Sequence, residues 1–169
     1  YTILGGDILY AIKPDGTLKW EFYLENFNEH SYTSPTLDVN DVIYFGTENS
    51  EGGYFYAVYP NGILKWRIFA GSLRPVRASS VVGVDGTIYI ATKAYSHRQP
   101  AEVLAVSPEG KIIWRYTVES IHFTPDDVYS TPAIGADGLI YFAAETGYIY
   151  ALNPDGTLNW KQDLECVIN

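Results

Sequence analysis

Tyr150-Ala-Leu-Asn-Pro-Asp-Gly-Thr-Leu-Asn-Trp160 is the stretch on which the fold turns, because the chain writes it four times. The other copies are Tyr10-Ala-Ile-Lys-Pro-Asp-Gly-Thr-Leu-Lys-Trp20, Tyr56-Ala-Val-Tyr-Pro-Asn-Gly-Ile-Leu-Lys-Trp66 and Leu104-Ala-Val-Ser-Pro-Glu-Gly-Lys-Ile-Ile-Trp114. The four Trp are spaced 46, 48 and 46 residues apart. A fixed period of this length marks stacked supersecondary units. A second phrase recurs between the first: Ser34-Pro35 followed by Asn40-Asp41-Val-Ile-Tyr44, Ser79-Ser80 by Asp85-Gly86-Thr-Ile-Tyr89, and Thr131-Pro132 by Asp137-Gly138-Leu-Ile-Tyr141.

Each unit holds four short extended runs, A to D, which in the second unit fall at about 33–38, 42–47, 54–59 and 63–69. Asn-Asp or Asp-Gly joins A to B, as a tight hairpin requires. Pro-Asp-Gly or its relatives join C to D, with Pro presetting one φ and Gly taking a positive one. Run C carries no charge on either face in Ile8–Ile12, Tyr54–Val58 or Tyr148–Leu152. A sheet with one wet face alternates polar and apolar, so these sheets are covered on both sides. The expectation is an all-β chain, a β-propeller of four-stranded antiparallel blades, with about three and a half to four blades. Residues 1–23 supply strands B to D of an incomplete blade, and 32–69, 77–117 and 129–162 supply whole ones, all in one partial ring. The recurring Trp is read as a wedge between blades and the recurring Ala as a point of close approach.

Composition agrees. Among 169 residues stand 15 Tyr, 7 Phe, 4 Trp, 15 Gly and 9 Pro, the profile of a strand-and-turn protein. A 47% hydrophobic and 18% charged chain is not disordered. The net charge of −9 argues against a general nucleic-acid binder, which needs a cationic surface. The single Cys166 excludes an internal disulfide and a Cys-based zinc site.

The repeat resembles the PQQ-like family, which holds quinoprotein dehydrogenases and the BamB-like propeller lipoproteins of outer-membrane protein assembly. The 150–160 copy looks most like uncharacterised bacterial and archaeal members. The resemblance implies a ring of seven or eight blades, so this chain corresponds to about half of one. A homodimer, or blades missing from this chain, would then complete the ring. It also implies an extracytoplasmic setting, periplasmic or secreted. The resemblance does not carry the cofactor. Quinoprotein enzymes of this fold use adjacent cysteines and a calcium site of Glu, Asn and Asp beside the quinone, whereas here Cys166 stands alone and the repeat turn has Pro-Asp-Gly in place of Thr-Gly. PQQ and calcium are therefore not expected.

No nucleophile elbow, phosphate loop or His-x-x-x-His pair appears, so no catalytic or metal residue is assigned. Asp126-Asp127 reads as a solvated loop, and His30, His97 and His122 as exposed loop residues. Propeller geometry puts the A–B and C–D turns at one end and the longer, more variable B–C and D–A connections at the other, where binding usually resides. Residues 65–115 hold eight Lys and Arg against Asp85, Glu102 and Glu109, while the rest of the chain is strongly acidic. Arg74 and Arg77 fall on the D–A connection, and Lys93, His97 and Arg98 on the B–C loop of the same blade. Tyr32 and Tyr129 align with Arg77 at the start of strand A, which lines the axis. Five residues after their Trp, three units carry Glu25, Glu119 and Glu165, and the fourth carries Gly71. Arg74, Arg77, Lys93, His97, Arg98, Tyr32 and Tyr129 form the candidate binding site, where the missing carboxylate leaves the arginines free to meet an external anion. The reading is a non-catalytic protein-interaction or scaffold propeller whose partner is a protein or acidic segment. The alternative is a sensor module for a small anion or a glycan, and a PQQ-dependent dehydrogenase ranks last.

Overall fold

The computed structural model describes residues 1–4, 6–25, 28–72, 74–96, 99–119 and 127–164. They form four antiparallel sheets and no helix. The first sheet runs β1 (Thr2–Leu4), β2 (Ile8–Ile12), β3 (Leu18–Tyr23) in spatial order. The second runs β4 (Thr36–Leu37), β5 (Ile43–Glu48), β6 (Gly52–Val58), β7 (Leu64–Ser72). The third runs β8 (Val81–Val82), β9 (Ile88–Ala91), β10 (Glu102–Val106), β11 (Ile112–Thr117). The fourth runs β12 (Ala133–Ile134), β13 (Ile140–Ala143), β14 (Tyr148–Leu152), β15 (Leu158–Asp163). Each is a blade, and the two-residue strands β4, β8 and β12 lie at the inner edges.

The core sits between blades. Leu9, Ile43, Phe45, Tyr56 and Val58 fill the first joint with Trp20 and Phe22 against them. Tyr44, Phe55, Ile88, Ile90 and Leu104 belong to the second, and Tyr89, Val103, Phe142 and Tyr150 to the third. The deepest aromatic rings are Tyr and Phe rather than Trp, with Phe45 stacked on Tyr56 at 5.1 Å and Phe142 on Tyr150 at 4.9 Å.

The Trp makes a different joint, repeated three times. Trp20 Nε1 donates to the Pro60 carbonyl at 3.0 Å, Trp66 to Pro108 at 2.8 Å and Trp114 to Pro154 at 2.9 Å. Each indole lies on the C–D turn of the next blade. A Cβ on Gly62, Gly110 or Gly156 would stand 2.9, 2.8 or 2.6 Å from that ring, and each glycine also has a positive φ of 82–86°. The turn glycine is thus demanded twice, by its backbone and by its neighbour. The recurring Ala stands directly across from Trp on the adjacent strand in all four blades, and a β-bulge follows it each time. A small residue there lets the indole fold back over its own sheet.

Candidate functional site

The connection from β7 to β8 crosses between the second and third blades, and it is packed rather than loose. Val76 is buried, its N–H donates to the Thr47 carbonyl at 3.2 Å, and the Pro75 carbonyl accepts from the Lys93 N–H at 2.8 Å. Gly46 and Gly53 lie beneath it, where any Cβ would collide with Val76 or with the Arg74 carbonyl. Two glycines in strands β5 and β6 therefore let this backbone settle onto the blade, and so fix where Arg74 and Arg77 project.

The two arginines go different ways. Arg74 turns toward the third blade. Its Nε donates to the Pro100 carbonyl at 3.2 Å and its Nη1 lies 3.3 Å from Glu102 Oε1. Arg115 approaches the same carboxylate from β11 at 2.7 Å and also donates to the Ala70 carbonyl at 2.7 Å. Glu102 is buried between two arginines. The carboxylate that Gly71 does not supply thus comes from β10. Elsewhere the repeat position pairs as its register implies, Arg67 with Glu25 at 2.9 Å and Lys161 with Glu119 at 2.7 Å.

Arg77 lies at the inner edge. It grips Glu48 with two bonds of 2.6 Å, and its guanidinium sits 5.1 Å from the Tyr32 ring centre. Glu48 holds the Arg77 guanidinium above its ordinary range, with Tyr129 and Tyr32 adding to it. Lys93 repeats the arrangement one blade on, 3.5 Å from Asp127 Oδ2 and 5.6 Å from the Tyr129 ring centre. The Tyr129 hydroxyl, then Asp127, raises the Lys93 ammonium, while neighbouring Arg77 pulls it down. Asp127 is buried and accepts the Ala94 N–H at 2.8 Å, so it is not the solvated loop residue that its sequence context suggests. It caps the Lys93–Ala94 backbone, which no spacing in the sequence reveals.

Tyr32, Arg77, Lys93 and Tyr129 are therefore brought together at one end of the inner edge, with both tyrosines exposed. Arg74 points away into a joint between blades. His97 and Arg98 lie outside the described residues, as do His122, Asp126, Glu165 and Cys166. His30 bridges its backbone to Glu48 on this same end.

One feature has no signal in the sequence. Glu29 is 1% exposed and accepts hydrogen bonds from Thr47 Oγ1 and, at 3.0 Å, from the Tyr56 hydroxyl. Burial pushes the Tyr56 phenol up. Glu29 lines a cavity of about 540 Å³ with Asp7, Tyr23, Glu25, Asn28 and His30. Among the described residues, no three His, Cys, Asp or Glu side chains are placed to hold a metal ion.

The family model for the outer membrane protein assembly factor BamB matches residues 1–165. The chain belongs to this family. Among solved structures, a protein of unknown function from Bacteroides caccae is similar at a TM-score of 0.67 and 17% identity, covering 95% of this chain and 55% of that one. BamB from Moraxella catarrhalis matches at 0.67 and 15%, covering 95% and 46%. The Pan2 WD40 domain of Neurospora crassa matches at 0.62 and 14%, covering 94% and 44%. This BamB-family chain thus spans about half the length of these structures, and at such identities the likeness is one of fold. The comparison with curated proteins finds no match.

Proposed function

We propose that this BamB-family propeller is a non-catalytic protein-interaction module that works outside the cytoplasm, in the assembly of outer-membrane proteins. Its binding face is the inner-edge mouth formed by Tyr32, Arg77, Lys93 and Tyr129. The observation that carries the reading is the pair of exposed tyrosines, each set beside a held cation. Tyr and Arg dominate the energetics of protein interfaces because they bring large area and directed hydrogen bonds at low entropic cost. At the mouth Glu48 and Asp127 balance Arg77 and Lys93, and in the neighbouring joint Glu102 meets both Arg74 and Arg115, so one positive charge is left over in that joint. That charge, on the same connection as Arg77 in a chain of net −9, supports an acidic protein segment as the partner. A bare small anion would have to displace Glu48 from a bidentate grip with nothing else to gain, whereas a protein segment also covers the two exposed tyrosines, which supports the protein partner over the anion.

The ring is completed, in this reading, by blades of the same repeat, from a second copy or from further blades. A photo-reactive amino acid placed at Tyr32 or Tyr129 in cells tests the binding face. Both positions should give the same discrete protein adduct in the envelope fraction. Exposed Ile113, on an outer strand, should not. Equal adducts from all three positions, or none, would refute the assignment.

A further inference from the structure

The opposite end of the blades carries a second surface. The A–B turns of the second, third and fourth blades share one frame. In each, the first turn residue accepts from the fourth: Asp41 N–H to Asp38 at 3.1 Å, Gly86 to Gly83 at 3.0 Å, Gly138 to Gly135 at 2.9 Å. The second position of this frame stands clear of the fold. It is held by Val39, 98% exposed, by fully exposed Val84 and by exposed Ala136. A turn position open to water favours polar residues, and β-branched Val offers the turn no hydrogen bond. Two Val and one Ala at the same place therefore call for a reason outside the turn.

Depressions lie between these knobs. One of about 330 Å³ separates Val39 from Val84 and is floored by Leu37 and Val82. A second, about 250 Å³, reaches outward between the same valines to Lys65 and Pro108. A third, about 530 Å³, lies between Val84 and Ala136 over Val81 and Ile134. All three share Val82, Gly83 and Val84, so they form one groove across three blades. Gly83 and Gly135 widen it. Asp38 and Asp85 line it, Asp41 and Asp137 belong to the same turns, and Lys65 is the one cation among the described residues lining it. Thr87 holds Asp85 below the ordinary carboxylate range, and Tyr141 with Leu139 does so for Asp137, so both stay ionised.

We propose that this groove is a docking site for a protein segment that alternates aliphatic with Lys or Arg side chains, seating the aliphatic ones beside Val39 and Val84 and the cations on the turn aspartates. Charge decides the occupant. An anionic membrane surface or a nucleic acid would be repelled by the carboxylates lining the groove and those of its turns, whereas a cationic segment meets them with its apolar side chains already directed into the groove. The site is distinct from the Tyr32–Arg77 mouth, which lies on the B–C and D–A side and favours an acidic partner.

The test uses fluorescence anisotropy of the whole chain with three labelled peptides, alternating Lys-Val, Glu-Val and Lys-Ser, at about 0.15 M salt. Lys-Val should bind more tightly than about 1 mM, and the other two at least about tenfold more weakly. The Val39→Ser/Val84→Ser double variant keeps every charge and alters only exposed atoms, so its melting temperature should not move. It should lose about tenfold in Lys-Val affinity. Ile113→Ser, on an outer strand away from the groove, should leave that affinity unchanged. Absence of Lys-Val binding, equal binding of Lys-Ser, or full binding by the double variant would each overturn the proposal.

Discussion

Arg77 and Glu102 both belong to ion pairs, yet they should answer mutation differently. Arg77 is 38% exposed and Glu102 is buried, so water screens the first pair and not the second. Replacing Arg77 by Gln should cost within about 1 kcal/mol, the range of exposed pairs. Replacing Glu102 by Gln leaves Arg74 and Arg115 facing each other without a carboxylate. The cost should be about 2 kcal/mol, short of the roughly 3–5 of a fully buried pair because the arginines keep 22% and 34% exposure. Urea unfolding of the two variants checks the order, and a larger loss for Arg77→Gln would show that Arg77 is a structural residue. The sequence makes Arg77 visible, since it breaks the Tyr32 and Tyr129 pattern. It does not show Glu48, Glu102 or Asp127 as partners, because two of them come from other blades and the choice among carboxylates is made by packing.

At the scale of the blade, the repeated turn is what the sequence declares most openly. Pro-x-Gly and Trp recur at fixed spacing, and the structure joins them as donor, acceptor and platform. The sequence could not show that the Trp of one copy meets the turn of the next, since a period reveals repetition and not which copies touch. The two demands on the turn glycine can be separated. Gly16 and Gly156 have φ of 84° and 86°, but among the described residues a Cβ on Gly16 would meet nothing within 4 Å while one on Gly156 would stand 2.6 Å from Trp114. Gly16→Ala should cost about 1 kcal/mol from backbone strain alone. Gly156→Ala should add about 1–3 kcal/mol for overpacking, and equal losses in thermal unfolding would refute the platform role. The turns also set an acid limit. Thr87 donates to Asp85 through its N–H at 3.0 Å and its hydroxyl at 2.9 Å, lowering the folded pKa. This stabilisation is complete above the unfolded carboxyl pKa of about 3.9 and is lost as pH falls through the lowered folded value. Asp85→Asn keeps the acceptor without the charge. Its urea midpoint should therefore fall less than the wild type's between about pH 5 and pH 2.5, and parallel curves would count against the linkage.

For the whole molecule, the informative quantity is the joint that three Trp make and Trp160 does not, among the described residues. Trp160 is 40% exposed, and the space over Gly16 is open. Trp66→Ala and Trp114→Ala should each cost about 3–5 kcal/mol, and Trp160→Ala about 1 kcal/mol when the chain is dilute. If a second copy completes the ring, its Trp160 docks on the Pro14-Asp15-Gly16 turn, and the ion-pair register tests whether it fits. Blades two to four place Arg67, Arg115 and Lys161 directly after Trp, but the first blade has Glu21. Arg67 and Lys161 meet Glu25 and Glu119, which stand five residues after the preceding Trp. Continued from one copy to the next, that register sets Glu165 against Glu21, a repulsion at each new joint. Association of the isolated chain should therefore be weak, tightened by Glu21→Lys and abolished by Trp160→Ala. Sedimentation equilibrium over a wide concentration range reads all three. A chain that stays monomeric with Glu21→Lys would eliminate the second copy as what covers the Gly16 turn.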